Sequence, residues 1–291
     1  MLSKHITLSH SQIDTLLRHG LRVLALTSSF IVILIILFLF SESFGIVGEI
    51  SPLRFFTDPG WYPTSEQFNL LPMIVGSLCL MMSALLLAAP LAILTAVFCN
   101  FYAPPALAVI VRRLIEIFTA IPSVIYGLWG LVVLVPIIAS IQAPGASLLA
   151  GSIVLAIMIF PTIAMVSDSV IVAVPKKYIK GAVALGLERY SVIFSVVLPT
   201  AKSGLFAGML LGAARAVGET MAVLMVCGNI VQMPSSLFDP IRALTSNIAL
   251  EMAYAMDIHR TALFVSGTLL LMLVLILIIL NEIYQSKHHH A

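Results

Sequence analysis

Two charged residues stand inside a long apolar stretch of the sequence. Arg215 and Glu219 lie four positions apart within 203–230, a stretch that carries no other charge. Moving an arginine to mid-membrane depth costs about 3 kcal/mol or more, so such a side chain faces protein or water rather than lipid. On one continuous helix, the spacing predicts that the two side chains lie one turn apart on the same face. This pair is therefore the first candidate for a functional site.

The pair allows two interpretations. It is either a structural ion pair that fixes helix packing, or an anion-binding arginine whose charge a movable glutamate modulates. The planar guanidinium suits an oxyanion such as phosphate, because it can donate two parallel hydrogen bonds. Ionisable residues inside a membrane are functional by default, and this favours the second interpretation.

Small residues recur every fourth position on the same predicted helix. They are Gly204, Gly208, Gly212 and Ala216. This spacing lets a neighbouring helix approach closely. We therefore expect Arg215 to lie on a helix that packs against other helices and does not face lipid.

Patterns typical of enzymes are missing from the sequence. It contains no G-x-x-x-x-G-K-[ST] phosphate loop and no H-E-x-x-H pair. All seven histidines lie outside the apolar stretches, and Asp168 has no evident second carboxylate for intramembrane aspartyl chemistry. The sequence thus predicts no catalytic residue, no metal ligand and no directly bound cofactor, and it argues against a membrane-embedded enzyme.

Composition indicates that these residues are held by membrane-spanning helices. Of the 291 residues, 60% are hydrophobic and only 10% are charged, which is too apolar for a chain that folds in water. Uncharged stretches of bilayer-spanning length predict one all-helical transmembrane domain over 1–291, with a cytoplasmic loop at 173–202. The expected helices are 23–41, 70–100, 110–138, 148–172, 203–230 and 261–280.

The distribution of lysine and arginine predicts that both termini lie in the cytoplasm. With that orientation, eleven of these residues fall in inside segments and three in outside segments, as the positive-inside rule requires. The inside residues are Lys4, Arg18, Arg22, Arg112, Arg113, Lys176, Lys177, Lys180, Arg189, Lys202 and Lys287, and the outside residues are Arg54, Arg242 and Arg260.

The predicted cytoplasmic loop holds a second candidate site. Its segment 180–186 combines a lysine with small residues, and Val196-Val-Leu-Pro199 follows. One interpretation is an amphipathic helix attracted to anionic lipid. The other is a docking helix, whose small residues Gly181, Ala182, Ala184 and Gly186 fit a groove on a partner protein. The residues by themselves leave both interpretations open.

The spacing in this loop resembles the cytoplasmic loop of ABC importer permeases, E-A-A-x(3)-G-x(9)-I-x-L-P. The residues in register are Ala182, Gly186, Val196, Leu198 and Pro199. Lys180 and Gly181 depart from the pattern, because they stand where it has glutamate and alanine. The resemblance identifies 176–199 as the loop that couples to an ATPase.

Further segments are similar to phosphate transport system permeases of the PstC type. These segments are Leu71–Ser77, Ile121–Gly127, Ala214–Val223 and Ala249–Met252. Their order and spacing are more specific than any one of them, and the resemblance extends from about Trp61 to Leu280.

This resemblance implies a type I ABC importer permease of MetI-like architecture in the bacterial inner membrane. The implied partners are a second permease of the PstA type, an ATPase dimer of the PstB type, which would use the ATP, and an external phosphate-binding protein of the PstS type. Arg215 and Glu219 would then lie in the phosphate pathway. The alternatives are a permease for another oxyanion, such as sulfate or molybdate, and a stand-alone secondary transporter.

Overall fold

The computed structural model describes residues 10–45 and 51–289 of the chain. In this part, six helical segments are long and apolar enough to cross a bilayer, which confirms the predicted all-helical membrane class. They are Leu17–Phe44, Leu71–Tyr102, Ser123–Ile141, Leu148–Val172, Arg189–Gly218 and Asp257–Tyr284. Lys4 lies outside the described residues, and the cytoplasmic location of the termini stays a prediction.

The helices are numbered here in chain order. Those of the first half are α1 (His10–Phe44), α2 (Arg54–Thr57), α3 (Leu71–Val97), α4 (Pro105–Ala120), α5 (Ser123–Trp129), α6 (Val135–Ile141) and α7 (Leu148–Val172). Those of the second half are α8 (Lys176–Ala184), α9 (Arg189–Val192), α10 (Leu198–Gly218), α11 (Met221–Val226), α12 (Leu244–Glu251) and α13 (Asp257–His289). Three π-helical turns extend α3, join α5 to α6 and join α9 to α10: Phe98–Tyr102, Gly130–Leu134 and Ile193–Val197.

Two short strands precede the second spanning segment. β1 (Trp61–Tyr62) and β2 (Gln67–Phe68) are antiparallel and enclose a 3₁₀ turn at Pro63–Ser65. Trp61 is opposite Phe68 in the register of the two strands. Both aromatic side chains are buried, so this hairpin packs onto the helical bundle instead of extending away from it.

Two breaks divide helices that the hydropathy pattern predicts as continuous. The expected helix 110–138 is interrupted at Ile121, because a residue before proline is disfavoured in the helical conformation. The expected helix 203–230 is interrupted at Glu219, whose backbone is extended, with ψ at 132°. It also begins earlier than expected, since α10 starts at Leu198 and is joined to α9 through a π-helical turn.

Helix α7 occupies the centre of the bundle. Of its most apolar 18-residue window, 61% is buried, whereas the corresponding window of α1 is 0% buried. Gly204, Gly208 and Gly212 of α10 pack directly on α7: a Cβ added at Gly212 would lie 2.7 Å from Cγ1 of Ile163, and one at Gly204 would lie 2.5 Å from Cγ1 of Val170. The expected close packing of this small-residue face is confirmed.

The ends of α3 and α7 form a compact layer with the loop that follows α7. Ala182 of α8 is 6% exposed and belongs to a buried apolar cluster. The cluster also holds Ala96 and Val97 from α3, Ile171 from α7, Val174 just after α7, and Val192, Ile193, Val197, Ala201 and Leu205. Because these side chains are packed together, a displacement of α8 acts directly on the ends of both spanning helices.

A buried carboxylate holds together the opposite end of the molecule. Glu251 accepts hydrogen bonds from Nε1 of Trp61 at 2.8 Å and from Nη1 of Arg242 at 2.6 Å, and its other contact is Nε2 of His259 at 2.8 Å. These residues come from the β1–β2 hairpin, the segment before α12, and α13. The carboxylate of Glu251 thereby connects three separate parts of the chain. Its bonds to these partners offset the free-energy cost of burying its charge.

Candidate functional site

Arg215 lies in the last turn of α10, where this helix packs against the middle of α7. Its Nη1 donates a hydrogen bond to Oγ1 of Thr162, 3.2 Å away on α7. The residue is only partly buried, and within the described part of the chain its other N–H groups have no hydrogen-bond partner. Those donors are therefore free to bind water, a ligand or another subunit.

Glu219 does not pair with Arg215, so the prediction that both lie on one continuous helix face is wrong for this conformation. Helix α10 ends at Gly218, and Oε1 of Glu219 accepts a hydrogen bond from the backbone N–H of Ala222, 3.2 Å away at the start of α11. No ion pair joins Glu219 to Arg215 in the ranges that the structure describes. The guanidinium thus keeps its full charge available.

The break at Glu219 has a physical reason in the local sequence. Gly218 ends a helix readily, and a carboxylate next to the first turn of a helix is stabilised by the N–H groups that lack partners there. The backbone carbonyl of Glu219 is also bonded, since it accepts from Oγ1 of Thr245 at 2.8 Å. Helix α12 thereby holds the break in place.

The two interrupted helices pack against each other. A Cβ added at Gly127 of α5 would lie 2.8 Å from Cα of Ala222 in α11, so the segments after the two breaks are in close contact. Tyr126 donates from its hydroxyl to the carbonyl of Phe118 at 2.8 Å, across the break between α4 and α5. Interrupted helices occur at membrane depth only where protein or a water-filled cavity surrounds them. In transporters they form the binding sites of substrates.

The candidate coupling residues of α8 divide into an anchor and an exposed face. Ala182 is the anchor, because its side chain is buried under α3 and α7. Lys180 and Gly181 are exposed, and a Cβ added at Gly181 would meet nothing within 4 Å. Gly186 ends this segment with φ at +79°, a conformation that glycine adopts without strain.

Large apolar side chains stand on that exposed face. Val183 of α8 is 58% exposed, and Leu185, the residue that follows α8, is 84% exposed. Leu198 and Pro199 lie in the first turn of α10, directly after the π-helical turn Ile193–Val197, and Leu198 packs on the apolar cluster. Lys180, Gly181 and Gly186 are therefore exposed, whereas Leu198 packs on the apolar cluster that also holds Ala182.

One contact and one helix break of the site had no signal in the sequence. Thr162 is 53 positions away from Arg215 and looks like any threonine of an apolar helix. The break after Gly218 leaves the hydropathy pattern unchanged, because Thr220 and the residues of α11 continue it. The break at Ile121 could have been predicted, since Pro122 follows.

Within residues 10–45 and 51–289, the structure has six helical segments that could span a membrane, with Arg215 opposite the middle of α7 beside interrupted helices. Together with the small helix α8 and its exposed apolar side chains, these features define a polytopic membrane permease. Residues 88–287 match the model of one family, the binding-protein-dependent transport system inner membrane component. The chain belongs to this family, and the predicted location as a multi-pass inner-membrane protein is confirmed.

Similar proteins carry the names of ABC and phosphate permeases. The chain is 38% identical to the probable ABC transporter permease protein YqgH of Bacillus subtilis, over 83% of this chain and 80% of that protein. It is 33% identical to the phosphate transport system permease protein PstC of Pasteurella multocida, over 95% of this chain and 92% of that protein. The PstC protein of Haemophilus influenzae is 34% identical, over 80% of this chain and 81% of that protein.

Solved structures show the same fold. The inward-facing MetNI methionine ABC transporter superposes with a TM-score of 0.58 at 19% identity, over 75% of this chain and 95% of that chain. An amino acid ABC transporter with histidines gives a TM-score of 0.55 at 15% identity, over 75% and 92% of the two chains. The predicted MetI-like architecture is therefore confirmed.

Proposed function

We propose that this chain is a membrane-spanning permease subunit of an ATP-driven importer that moves inorganic phosphate into the cytoplasm. The family match and the PstC relatives, which align over most of their own length, support this proposal. The structural observation that carries it is the guanidinium of Arg215, which lies beside two interrupted helices and has donors without a partner in the described part of the chain.

In the proposed mechanism, phosphate crosses between this subunit and a second permease. Arg215 donates charge-assisted hydrogen bonds to the phosphate oxygens, and its bond to Thr162 orients the guanidinium towards the pathway. Glu219 stands at the break just beyond α10. Its negative charge close to the pathway limits how tightly an anion is held, so that phosphate can leave.

The remaining subunits supply energy and substrate. An ATPase dimer of the PstB type docks on the exposed face of α8, where Val183 and Leu185 lack partners within the described chain. A permease of the PstA type completes the pathway, and an external protein of the PstS type delivers phosphate. The chain itself binds no cofactor and is not an enzyme in this proposal, since ATP is hydrolysed by the ATPase.

The test is transport by the complete complex in sealed vesicles. The complex that co-purifies with this chain is reconstituted with its binding protein. Uptake of labelled phosphate is then measured with and without ATP on the side of the membrane where the ATPase lies. We expect uptake that requires ATP and that excess sulfate or molybdate does not suppress. Uptake driven by an ion gradient without ATP, or full competition by sulfate, contradicts the proposal.

A further inference from the structure

A second charged cluster lies near the C-terminal end of α7, apart from Arg215, which contacts the middle of this helix. Arg112 of α4 forms two parallel hydrogen bonds with Asp168 of α7: Nε to Oδ2 and Nη2 to Oδ1, each 2.9 Å. Asn100 completes the cluster, because its Nδ2 donates to Oδ1 of Asp168 at 2.6 Å and its Oδ1 accepts from Nη2 of Arg112 at 3.1 Å. Every pair of the three residues is bonded, and we call this cluster the clasp.

The clasp is not part of the Arg215 site. Asp168 follows Thr162 by six residues, which is about 9 Å along the helix and about 120° away around it. Thr162 faces α10, whereas Asp168 faces α4 and the end of α3. The clasp therefore cannot bind the same anion as Arg215, and its arginine is already neutralised by a carboxylate.

The clasp joins the layer that contacts α8 to the helix that leads to the substrate site. Asn100 belongs to the π-helical turn that extends α3, and Tyr102 of the same turn lies under the guanidinium of Arg189 from α9, 5.5 Å from the ring centroid. On the other side, α4 continues through Ile121 and Pro122 into α5, which packs against α11. Movement of the loop can reach α4 through the clasp.

Arg112 has an alternative partner on its own helix. Glu116 is four residues further along α4, the spacing at which side chains of a helix meet. Glu116 lines the same pocket of about 150 Å³ as Arg112 and Asp168, and its carboxylate now pairs with Arg113 at 2.9 Å. The side chains of Arg112, Asp168 and Glu116 are 37%, 23% and 50% exposed, so this chain encloses none of them completely.

We infer that the clasp is the conformational link between the ATPase and the pathway, and that it opens when Arg112 exchanges Asp168 for Glu116. A partly solvated ion pair is weak enough to break during each cycle, and the exchange leaves Arg112 paired in both states. The clasp residues are thus positioning residues: they transmit movement of α8 to α4 and α5 without touching phosphate. This inference rests on the proposed function.

Cys99 provides a direct readout of clasp opening. It is 6% exposed and lines the same pocket as Arg112 and Asp168. In the intact complex with Cys79→Ala and Cys227→Ala, we expect maleimide to label Cys99 slowly at rest and at least about tenfold faster during ATP hydrolysis, as for a buried thiol that becomes accessible. Asp168→Asn should give the fast rate without ATP. Equal labelling at rest and during hydrolysis overturns the inference, whatever substrate the complex carries.

The exchange itself is tested by Glu116→Gln, with Arg113→Gln as the matched control. Arg113→Gln removes the present partner of Glu116 but leaves Arg112 and Asp168 intact, and its uptake should stay within about twofold of wild type. Glu116→Gln removes the alternative partner, so ATP should no longer accelerate Cys99 labelling and phosphate uptake should fall at least about fivefold. Identical behaviour of the two variants overturns the exchange.

The amount of phosphate transported per ATP hydrolysed distinguishes a conformational link from a contact that only supports the fold. With Asp168→Asn we expect ATP hydrolysis to persist while the phosphate moved per ATP falls at least about tenfold. A proportional loss of both activities shows that the clasp only supports the fold, and overturns the inference. Failure of the proposed function is distinguishable, because then the wild-type complex itself moves no phosphate while the Cys99 measurement still reports on the clasp.

Discussion

Nη1 of Arg215 donates a hydrogen bond to Oγ1 of Thr162 at 3.2 Å, so the arginine of α10 is oriented by a hydroxyl of α7 and not by a carboxylate of its own helix. A neutral partner leaves the guanidinium positively charged towards its surroundings. A carboxylate in that position would offset the charge that an anion needs. The bond to Thr162 therefore orients the guanidinium without offsetting the charge that an anion needs.

Removing the guanidinium should abolish most transport without unfolding the protein. Hydrogen bonds to charged groups contribute about 1.5–3 kcal/mol, so Arg215→Ala should slow phosphate uptake about 10- to 100-fold. Thr162→Val removes only the orienting hydroxyl and should slow it less, about 2- to 10-fold. Uptake in reconstituted vesicles, at matched amounts of assembled complex, measures both. Normal uptake by Arg215→Ala would remove Arg215 from the pathway.

The helix count followed from hydropathy, because each spanning segment contains an apolar stretch long enough to cross the bilayer. The packing of α10 also followed, since Gly204, Gly208 and Gly212 recur with the helical period and meet α7. Both features depend on residues that are close together in the chain, and a periodic pattern reports such features directly.

The site itself depends on contacts between residues that are far apart in the sequence. The bond from Arg215 to Thr162 joins two helices, and so does the pair of Arg112 with Asp168. Asp168 gave no sign of a partner in the sequence, because the arginine that neutralises it is 56 positions earlier. The extended backbone at Glu219 involves a single residue, so it does not change the average hydropathy of the surrounding segment.

The glycine face of α10 predicts a strong effect of added volume. Gly212→Leu inserts a side chain where even a Cβ would lie 2.7 Å from Ile163, and overpacking of this kind costs about 1–3 kcal/mol. We expect a lower thermal unfolding midpoint for the purified complex. The control is Gly20→Leu in α1, where an added Cβ meets nothing within 4 Å. An equal midpoint for both variants would contradict the packing described here.

The carboxylate of Glu251 should contribute far more to the free energy of unfolding than the carboxylate of an exposed ion pair. Glu251→Gln leaves Arg242, whose side chain is only 19% exposed, without its ionic partner, and breaking such a pair costs about 3–5 kcal/mol. Asp14→Asn is the control, because Asp14 and Arg18 are 71% and 62% exposed and such pairs contribute about 0–1 kcal/mol. Thermal unfolding should separate the two variants. A Glu251→Gln protein as stable as Asp14→Asn would show that the network is not a structural support.

The exposed face of α8 makes the clearest prediction about assembly. Leu185 is 84% exposed although it is large and apolar, and a partner that covers it would gain hydrophobic free energy, about 1.5–3 kcal/mol for full burial. Leu185→Asp should therefore prevent co-purification of the ATPase, because it would bury an unpaired charge in the interface. Met256→Asp is the matched control: Met256 is 75% exposed but lies between α12 and α13, at the opposite end of the molecule. If Leu185→Asp retains the ATPase as fully as Met256→Asp does, α8 is not the docking surface, and the ATPase must bind elsewhere on the chain.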